Sequence, residues 1–262
     1  MTTNTFVFKN IQISYTHNLI DVNKPSLICL HGFLEHKHIF NFLFEDTYFN
    51  ANNLISVDLL GHNESETIGY ILTMEDQAQM IRQLLSHLNL KKIALIGHSL
   101  GGYVALAILE LFPNLVTKIF LLNSTAKADN ETKKANRLRG INLVKKQSNM
   151  FIQLALANLF DTKTLENNKD EIEILKSKAL KNKTQGVLAN MYGMLERKDR
   201  LFLLKNNPNV IYIAGEKDLI IPINEIREEV KTNQNKLFEI DGYHTLWLEQ
   251  PEKIKKILKD NL

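Results

Sequence analysis

One cysteine, one tryptophan and five prolines in 262 residues narrow the possibilities before any pattern is read. A single thiol, Cys29, permits no disulfide framework within the chain, and it falls in an apolar strand pattern. That usage fits a reducing compartment. No apolar run is long enough to span a bilayer. The start, MTTNTFVFKN, has neither the charged nor the apolar region of a signal peptide. The expected location is therefore cytoplasmic. A net charge of +3 is too small to argue for nucleic acid as a partner. Internal repeats and low-complexity linkers are also missing. Without staples, stability has to come from a packed core. The content of 44% hydrophobic and 23% charged residues suits a globular protein, and a chain this long can bury a substantial core. The length fits one large domain, or a core with an insertion.

What is present is organised around Lys91–Tyr103, KKIALIGHSLGGY. Ile93–Ile96 reads as a buried strand, followed by a serine between glycines and the start of an apolar helix running to about Leu111. A serine hydroxyl is a poor nucleophile unless a base is in reach. A sharp strand-to-helix turn of the form G-x-S-x-G presents it to one. The strained serine needs small neighbours two positions away, and Gly97 and Gly101 are those neighbours. The helix that follows aims its amides and the positive end of its dipole at Ser99.

Elsewhere, Thr5–Phe8 and Ile11–Tyr15 read as an opening hairpin turned at Lys9-Asn10. Ser26–Leu30 is an apolar run, as expected of a strand buried on both faces, and Leu54–Val57 is the next. Phe40–Phe44 reads as a short helix. Thr73 with Asp76 marks a helix start, and Met74–Leu88 carries helical spacing. Ile119–Leu122, Val210–Ala214 and Leu237–Ile240 complete the strands, and a helix from about Pro251 closes the chain. Alternating strands and helices predict an α/β fold, a mostly parallel sheet with helices on both faces. Ser124 to about Asn206 breaks the pattern with helices and no buried strand. The division is a core of residues 1–124 and 207–262 with a helical insertion, 125–206.

A nucleophilic serine needs a base, and the base an orienting acid. Of eight histidines, His244 follows the last strand closely, at the strand end where parallel-sheet proteins bind ligands. His98 adjoins Ser99, so its side chain should point away from that of the serine. His31 and His62, each beside a glycine after a strand, read as loop-shaping residues. His36 and His38 could form a metal-binding pair, but no third ligand is suggested nearby. Asp218, just after Val210–Ala214, is the best acid, with Glu216 the near alternative. Asp241 lies too close to His244 in sequence and reads as a turn residue. For the developing oxyanion, the amides of Leu100 and Phe33 are the candidate donors, with Gly32 letting the backbone come close.

Taken together these residues resemble the α/β-hydrolase fold family, in its small single-chain serine esterase-like branch. Ser99, Asp218 and His244 match its serine–acid–histidine order. His31-Gly32-Phe33 resembles its oxyanion loop, and Asp58-Leu59-Leu60-Gly61-His62-Asn63-Glu64-Ser65 its D-x-x-G-H-G-x-S loop. His244, Glu249 and Pro251 resemble its H-x-x-x-x-E-x-P ending. Asn63 and Tyr243 depart from the usual glycines, which puts close analogy in substrate choice in doubt because both positions could border the pocket. The resemblance implies a serine hydrolase with a helical cap, no cofactor and an ester or thioester substrate. It leaves open carbon–carbon bond hydrolysis or cofactor-free elimination on the same triad, and a slow-turnover ligand sensor. Dehalogenase chemistry is disfavoured, since that branch has aspartate where this chain has Ser99.

The insertion holds 17 Lys and Arg against 9 Asp and Glu. This is first of all a solvated helical surface, and more sharply a surface suited to an anionic acyl carrier such as an acyl carrier protein or coenzyme A. Met150, Leu154 and Ala157 recur at helical spacing and should pack the insertion on the core, with Phe151 and Phe160 at the margins. Phe33, Phe160, Met191, Met194 and Trp247 are candidates for lining a substrate pocket.

Overall fold

The computed structural model describes residues 2–18, 20–205 and 207–262, so the expected domain limits at Met1 and Asn206 fall outside the described residues. The chain opens with the antiparallel hairpin β1 (Thr2–Phe8) and β2 (Ile11–His17). Its turn residues Lys9 and Asn10 both adopt positive φ, 47° and 66°, as two-residue hairpin turns require. Strands β3 (Ser26–Leu30), β4 (Asn53–Val57), β5 (Ile93–His98), β6 (Val116–Leu122), β7 (Val210–Gly215) and β8 (Lys236–Ile240) follow. The sheet order is β1-β2-β4-β3-β5-β6-β7-β8. Pairing is parallel from β4 to β8 and antiparallel where β2 meets β1 and β4. Every residue of β3, β4, β5 and β7 is buried. Their largely apolar runs lie between helical layers, whereas alternating sequences would have left one face wet.

Two short helices, α1 (Asn41–Phe44) and α2 (Thr47–Asn50), connect β3 to β4. α3 (Met74–His87) begins at the expected cap. Thr73 Oγ1 accepts from the Asp76 amide at 3.0 Å, and the Asp76 carboxylate accepts from the Thr73 amide at 3.2 Å. α4 (Leu100–Leu111) is apolar nearly all round and buried from Leu100 to Leu109, as a helix enclosed by the core must be.

Between β6 and β7 come α5 (Glu131–Ala157), α6 (Thr162–Asn167), α7 (Lys169–Ala179) and α8 (Thr184–Leu195). α8 seats directly on loops of the sheet layer. A Cβ at Gly186 would collide with the Gly61 carbonyl, and one at Gly193 with the Leu72 carbonyl. Between them Asn190 donates to the Leu60 carbonyl at 2.8 Å and accepts from Gln77 at 3.1 Å. Arg200, itself buried, binds Glu75 of α3 at 2.7 Å and Glu110 of α4 at 2.9 Å.

α9 (Ile223–Asn233) lies between β7 and β8, and α10 (Leu246–Glu249) and α11 (Pro251–Asn261) end the chain. α9 was not expected. Its signal is modest: Pro222 at the cap, then Ile223, Ile226 and Val230 at helical spacing among charges. A second difference concerns α5. Met150 and Leu154 are each 48% exposed and Ala157 is also exposed, so the expected packing stripe faces outward. α5 breaks at Gln147 (φ −150°, ψ 69°), and the restarted helix turns Ile152 and Leu156 inward instead.

Register fixes where function can sit. Leu30 of β3 pairs with Gly97 of β5, His98 with Leu122 of β6, and Leu122 with Ile213 of β7. The loops beginning at His31, Ser99, Asn123 and Glu216 therefore leave the sheet along one edge, at the carboxyl ends of its strands.

Candidate active site

Ser99 sits between β5 and α4 with φ 49° and ψ −114°, a conformation that costs an L-residue on the order of 1–3 kcal/mol. The turn closes so tightly that a Cβ at Gly97 would strike the Gly101 carbonyl, and one at Gly101 the Leu30 carbonyl. Hydrogen bonds hold it from both sides. The Ser99 amide donates to Leu122 O at 3.0 Å, and the Ser124 hydroxyl donates to Ser99 O at 2.8 Å. Leu100 is the first residue of α4, so its amide has no carbonyl a turn earlier within the helix.

His244 Nδ1 lies 2.8 Å from Asp218 Oδ2. Asp218 is buried and its oxygens are saturated with donors. Oδ1 accepts the Ile220 and Ile221 amides at 2.8 and 3.0 Å, and Oδ2 also accepts Asn123 Nδ2 at 2.7 Å. Burial opposes the charged carboxylate, but the His244 ring and these donors outweigh it and bring the carboxyl below its ordinary range. Glu216 is exposed, and Asp241 pairs at the surface with Lys217. Asn123 was missed by sequence reasoning. It stands at positive φ (45°) just past β6, and it ties Asp218 to the Tyr243 carbonyl, 3.1 Å away.

Glu35 was missed too. It is buried beneath the loop after β3, where it accepts the Gly32 amide at 2.6 Å, His98 Nδ1 at 2.7 Å and Trp247 Nε1 at 3.0 Å. The other nitrogen of His98 meets the His244 carbonyl at 2.8 Å. Burial favours a neutral Glu35, yet the charge and hydrogen bond of His98, with the Gly32 amide, hold its carboxyl down at about 2. Burial likewise lowers the His98 ring, and Glu35 reverses that, so the ring is raised above its usual value. The only signal in sequence was a carboxylate directly after Phe33-Leu34, in the loop that follows a buried strand.

His31 shapes the loop as expected. Its Nδ1 donates to Gly32 O at 2.7 Å and its Nε2 accepts the Leu59 amide at 3.0 Å, a neutral ring that burial keeps neutral. Leu34 completes the loop at φ 64°, a strained non-glycine position. His36 Nδ1 accepts from the His38 amide at 3.2 Å and caps the short turn that follows. Asn63 takes positive φ (47°) where the family pattern has glycine, and donates to Asp58 at 2.8 Å.

Ser99 and His244 open onto one cavity of about 440 Å³. Phe33, Met191 and Met194 line it, as expected. Phe160 and Trp247 do not: Phe160 packs against the core, and Trp247 is spent on Glu35. Neither Asn63 nor Tyr243 lines it, so the two departures from the family pattern lie outside the pocket. Ser99 and His244 thus share one cavity, with the Asp218 carboxylate behind the His244 ring.

A mostly parallel sheet that gathers such residues at its strand ends defines a class of α/β enzymes. Residues 25–251 match the model of the alpha/beta hydrolase fold, and the chain belongs to that family. The hydrolase YugF of Bacillus subtilis, an uncharacterized protein, is 31% identical over 124 residues. That match covers 46% of this chain and 44% of YugF, so the chain spans less than half the length of this curated relative. A malate-bound thermophilic esterase from Thermogutta terrifontis superposes with a TM-score of 0.88 at 25% identity, covering 99% of this chain and 97% of the esterase. A carboxylesterase structure from the thaumarchaeon Nitrososphaera gargenis gives a TM-score of 0.83 at 20% identity, over 98% and 97% of the two chains. Among the described residues, no helix is long and apolar enough to cross a membrane.

Proposed function

We propose that the protein is a serine hydrolase that cleaves a carboxylic ester or thioester through an acyl-serine intermediate. The observation that carries this reading is the bond between His244 Nδ1 and Asp218, made while the ring and the strained Ser99 face the same cavity. His244 Nε2 takes the Ser99 proton as Oγ attacks the carbonyl carbon. The amides of Phe33 and Leu100 hold the oxyanion, and Asp218 stabilises the imidazolium. The imidazolium returns the proton to the departing alcohol or thiol. Water then attacks the acyl-serine with His244 as base, releasing the acid and restoring Ser99.

In this reading residues 1–124 and 207–262 form the catalytic core, and 125–206 form a cap whose α5 and α8 roof the cavity. The esterases among the similar structures favour ester over carbon–carbon chemistry. The test is fluorophosphonate labelling of Ser99 followed by an acyl-chain series on esters and thioesters. Labelling with turnover supports the reading, and an unreactive Ser99 in folded protein overturns it.

A further inference from the structure

The cavity has two chemically different walls, and one helix supplies both. Before the break at Gln147, Lys133, Asn136, Arg137 and Gly140 of α5 line the cavity at the spacing of a single helix face. After it, Phe151, Ala155 and Leu156 line it with apolar side chains. Asp129 and Arg197 stand on the same wall as the polar arm, and Asp129 pairs with both Arg137 and Arg197.

The charges on the polar wall do not cancel. Arg137 Nε lies 2.7 Å from Asp129 Oδ2, and Arg197 Nη1 lies 2.8 Å from Asp129 Oδ1. One carboxylate thus serves two guanidinium groups. Lys133 has its own partner, Glu225, at 2.6 Å. Among the described residues one positive charge therefore remains without a counter-ion. The Arg197 side chain is 3% exposed, and among the described residues its Nε has no hydrogen-bond partner. A single arginine would suffice to neutralise Asp129, and burying a second cation against the same carboxylate costs free energy. The site shares its cavity with Ser99. The Arg197 guanidinium lies 4.1 Å over the ring of Tyr103, which stands one turn along α4 from Ser99.

We infer that this wall is a subsite for a carboxylate carried by the substrate, with Arg137 as its main partner and Arg197 behind it. The inference rests on the serine-hydrolase reading for its link to turnover. Arg137 keeps its terminal nitrogens for a ligand, since Nε is the atom committed to Asp129 and, among the described residues, Nη1 has only the Met194 sulfur at 3.5 Å. A planar guanidinium matches a carboxylate in a two-point fork. One uncompensated charge calls for a monoanion. The substrate class is an ester with an apolar side and an acidic side: a half-ester of a dicarboxylic acid, or an acyl ester of a hydroxy acid.

The experiment compares kcat/KM for monomethyl succinate, glutarate, adipate and pimelate with the methyl monocarboxylates of equal carbon number. Butyryl glycolate and butyryl lactate against ethyl butyrate place the acid on the alcohol side. One acidic series should be preferred at least tenfold, with an optimum at one length. Arg137→Gln should lower that acid-to-neutral ratio at least tenfold, and Arg137→Lys should recover part of it. Arg139→Gln removes the same charge from an exposed position of the same helix arm, off the cavity, and should leave the ratio unchanged. Equal turnover of acidic and neutral esters at every length overturns the subsite, as does an equal fall in Arg139→Gln. Calorimetry with Ser99→Ala protein reads the subsite without turnover: monomethyl adipate should bind at least tenfold tighter than methyl hexanoate. Such binding with no turnover by the wild type keeps the subsite and overturns the hydrolase. Absence of both effects overturns both.

Discussion

His98 is clamped between two acceptors, with Nδ1 2.7 Å from the Glu35 carboxylate and Nε2 2.8 Å from the His244 carbonyl. Nε2 donates to the carbonyl, and with the Glu35 carboxyl held low and the His98 ring raised the two form a buried imidazolium–carboxylate pair. The pair also holds the Gly32 amide and the Trp247 indole through Glu35. It thereby joins the loop that presents Phe33, the residue beside Ser99 and the loop that carries His244. Removing one partner of such a pair leaves the other charge unmatched in the interior, at a cost of about 3–5 kcal/mol. Glu35→Gln should lose stability by that amount in urea denaturation. A loss under 1 kcal/mol would mean that the pair is not ionised as argued.

The same pair sets a pH window. Glu35 is depressed from its usual 4.5 to about 2, so its contribution is present above 4.5 and is lost as pH falls through 2. His98 is raised above its usual 6.5, so its contribution is full below 6.5 and is lost as pH rises through the folded value. The stability difference between wild type and Glu35→Gln should therefore be greatest between pH 4.5 and 6.5 and fall on either side. Unfolding free energies of both proteins across that range check it, and a flat difference would contradict it.

Asp218→Asn should abolish most activity without unfolding the protein. The carboxylate accepts from four groups, two amides on Oδ1 and Asn123 and His244 on Oδ2. An asparagine keeps its oxygen on the two amides and turns its NH₂ toward His244, and the Asn123 amide, which had donated to the carboxylate, loses that acceptor. The ring then accepts at Nδ1 and carries its proton on Nε2, where it cannot take one from Ser99. A fall in kcat on the order of 10⁴ follows from a wrong tautomer. Activity within tenfold of wild type would remove Asp218 from the mechanism.

Ser99→Ala should reduce ester turnover by as much as about 10⁶, the loss seen when a triad nucleophile is removed. Single-turnover assays on an aryl ester read it, and retained acyl-enzyme formation would point to another nucleophile.

Gly193→Ala tests the seating of α8. The added methyl meets the Leu72 carbonyl, which is backbone and cannot swing aside. Overpacking of this kind costs about 1–3 kcal/mol. Thermal melting should show the loss, together with a rise in KM as the cavity wall contributed by Met191 and Met194 shifts. An unchanged melting temperature would mean that α8 lifts away freely.

Local rules made the strand, the serine turn and α4 legible in the sequence. A strained serine demands glycines two positions away, and a helix dipole demands a helix after it, so thirteen consecutive residues carried the pattern. Asp218 and His244 were legible because each closely follows a strand. The buried strands were legible from largely apolar runs. Other features depend on partners far along the chain. Glu35 gains its meaning from His98 and Trp247, 63 and 212 residues away. Trp247 looked like a pocket residue because an indole suits a pocket, but its N–H was claimed by a carboxylate.

By itself, then, the sequence determined the succession of strands, the glycine-flanked serine turn and the chemical types at the strand ends, since each obeys a constraint spanning only a few neighbours. Tertiary structure decided which face of α5 turns inward after Gln147, which charges share Asp129, and that His98 pairs with Glu35. Those outcomes follow from burial and from donors meeting acceptors across the fold, and no short-range pattern encodes them.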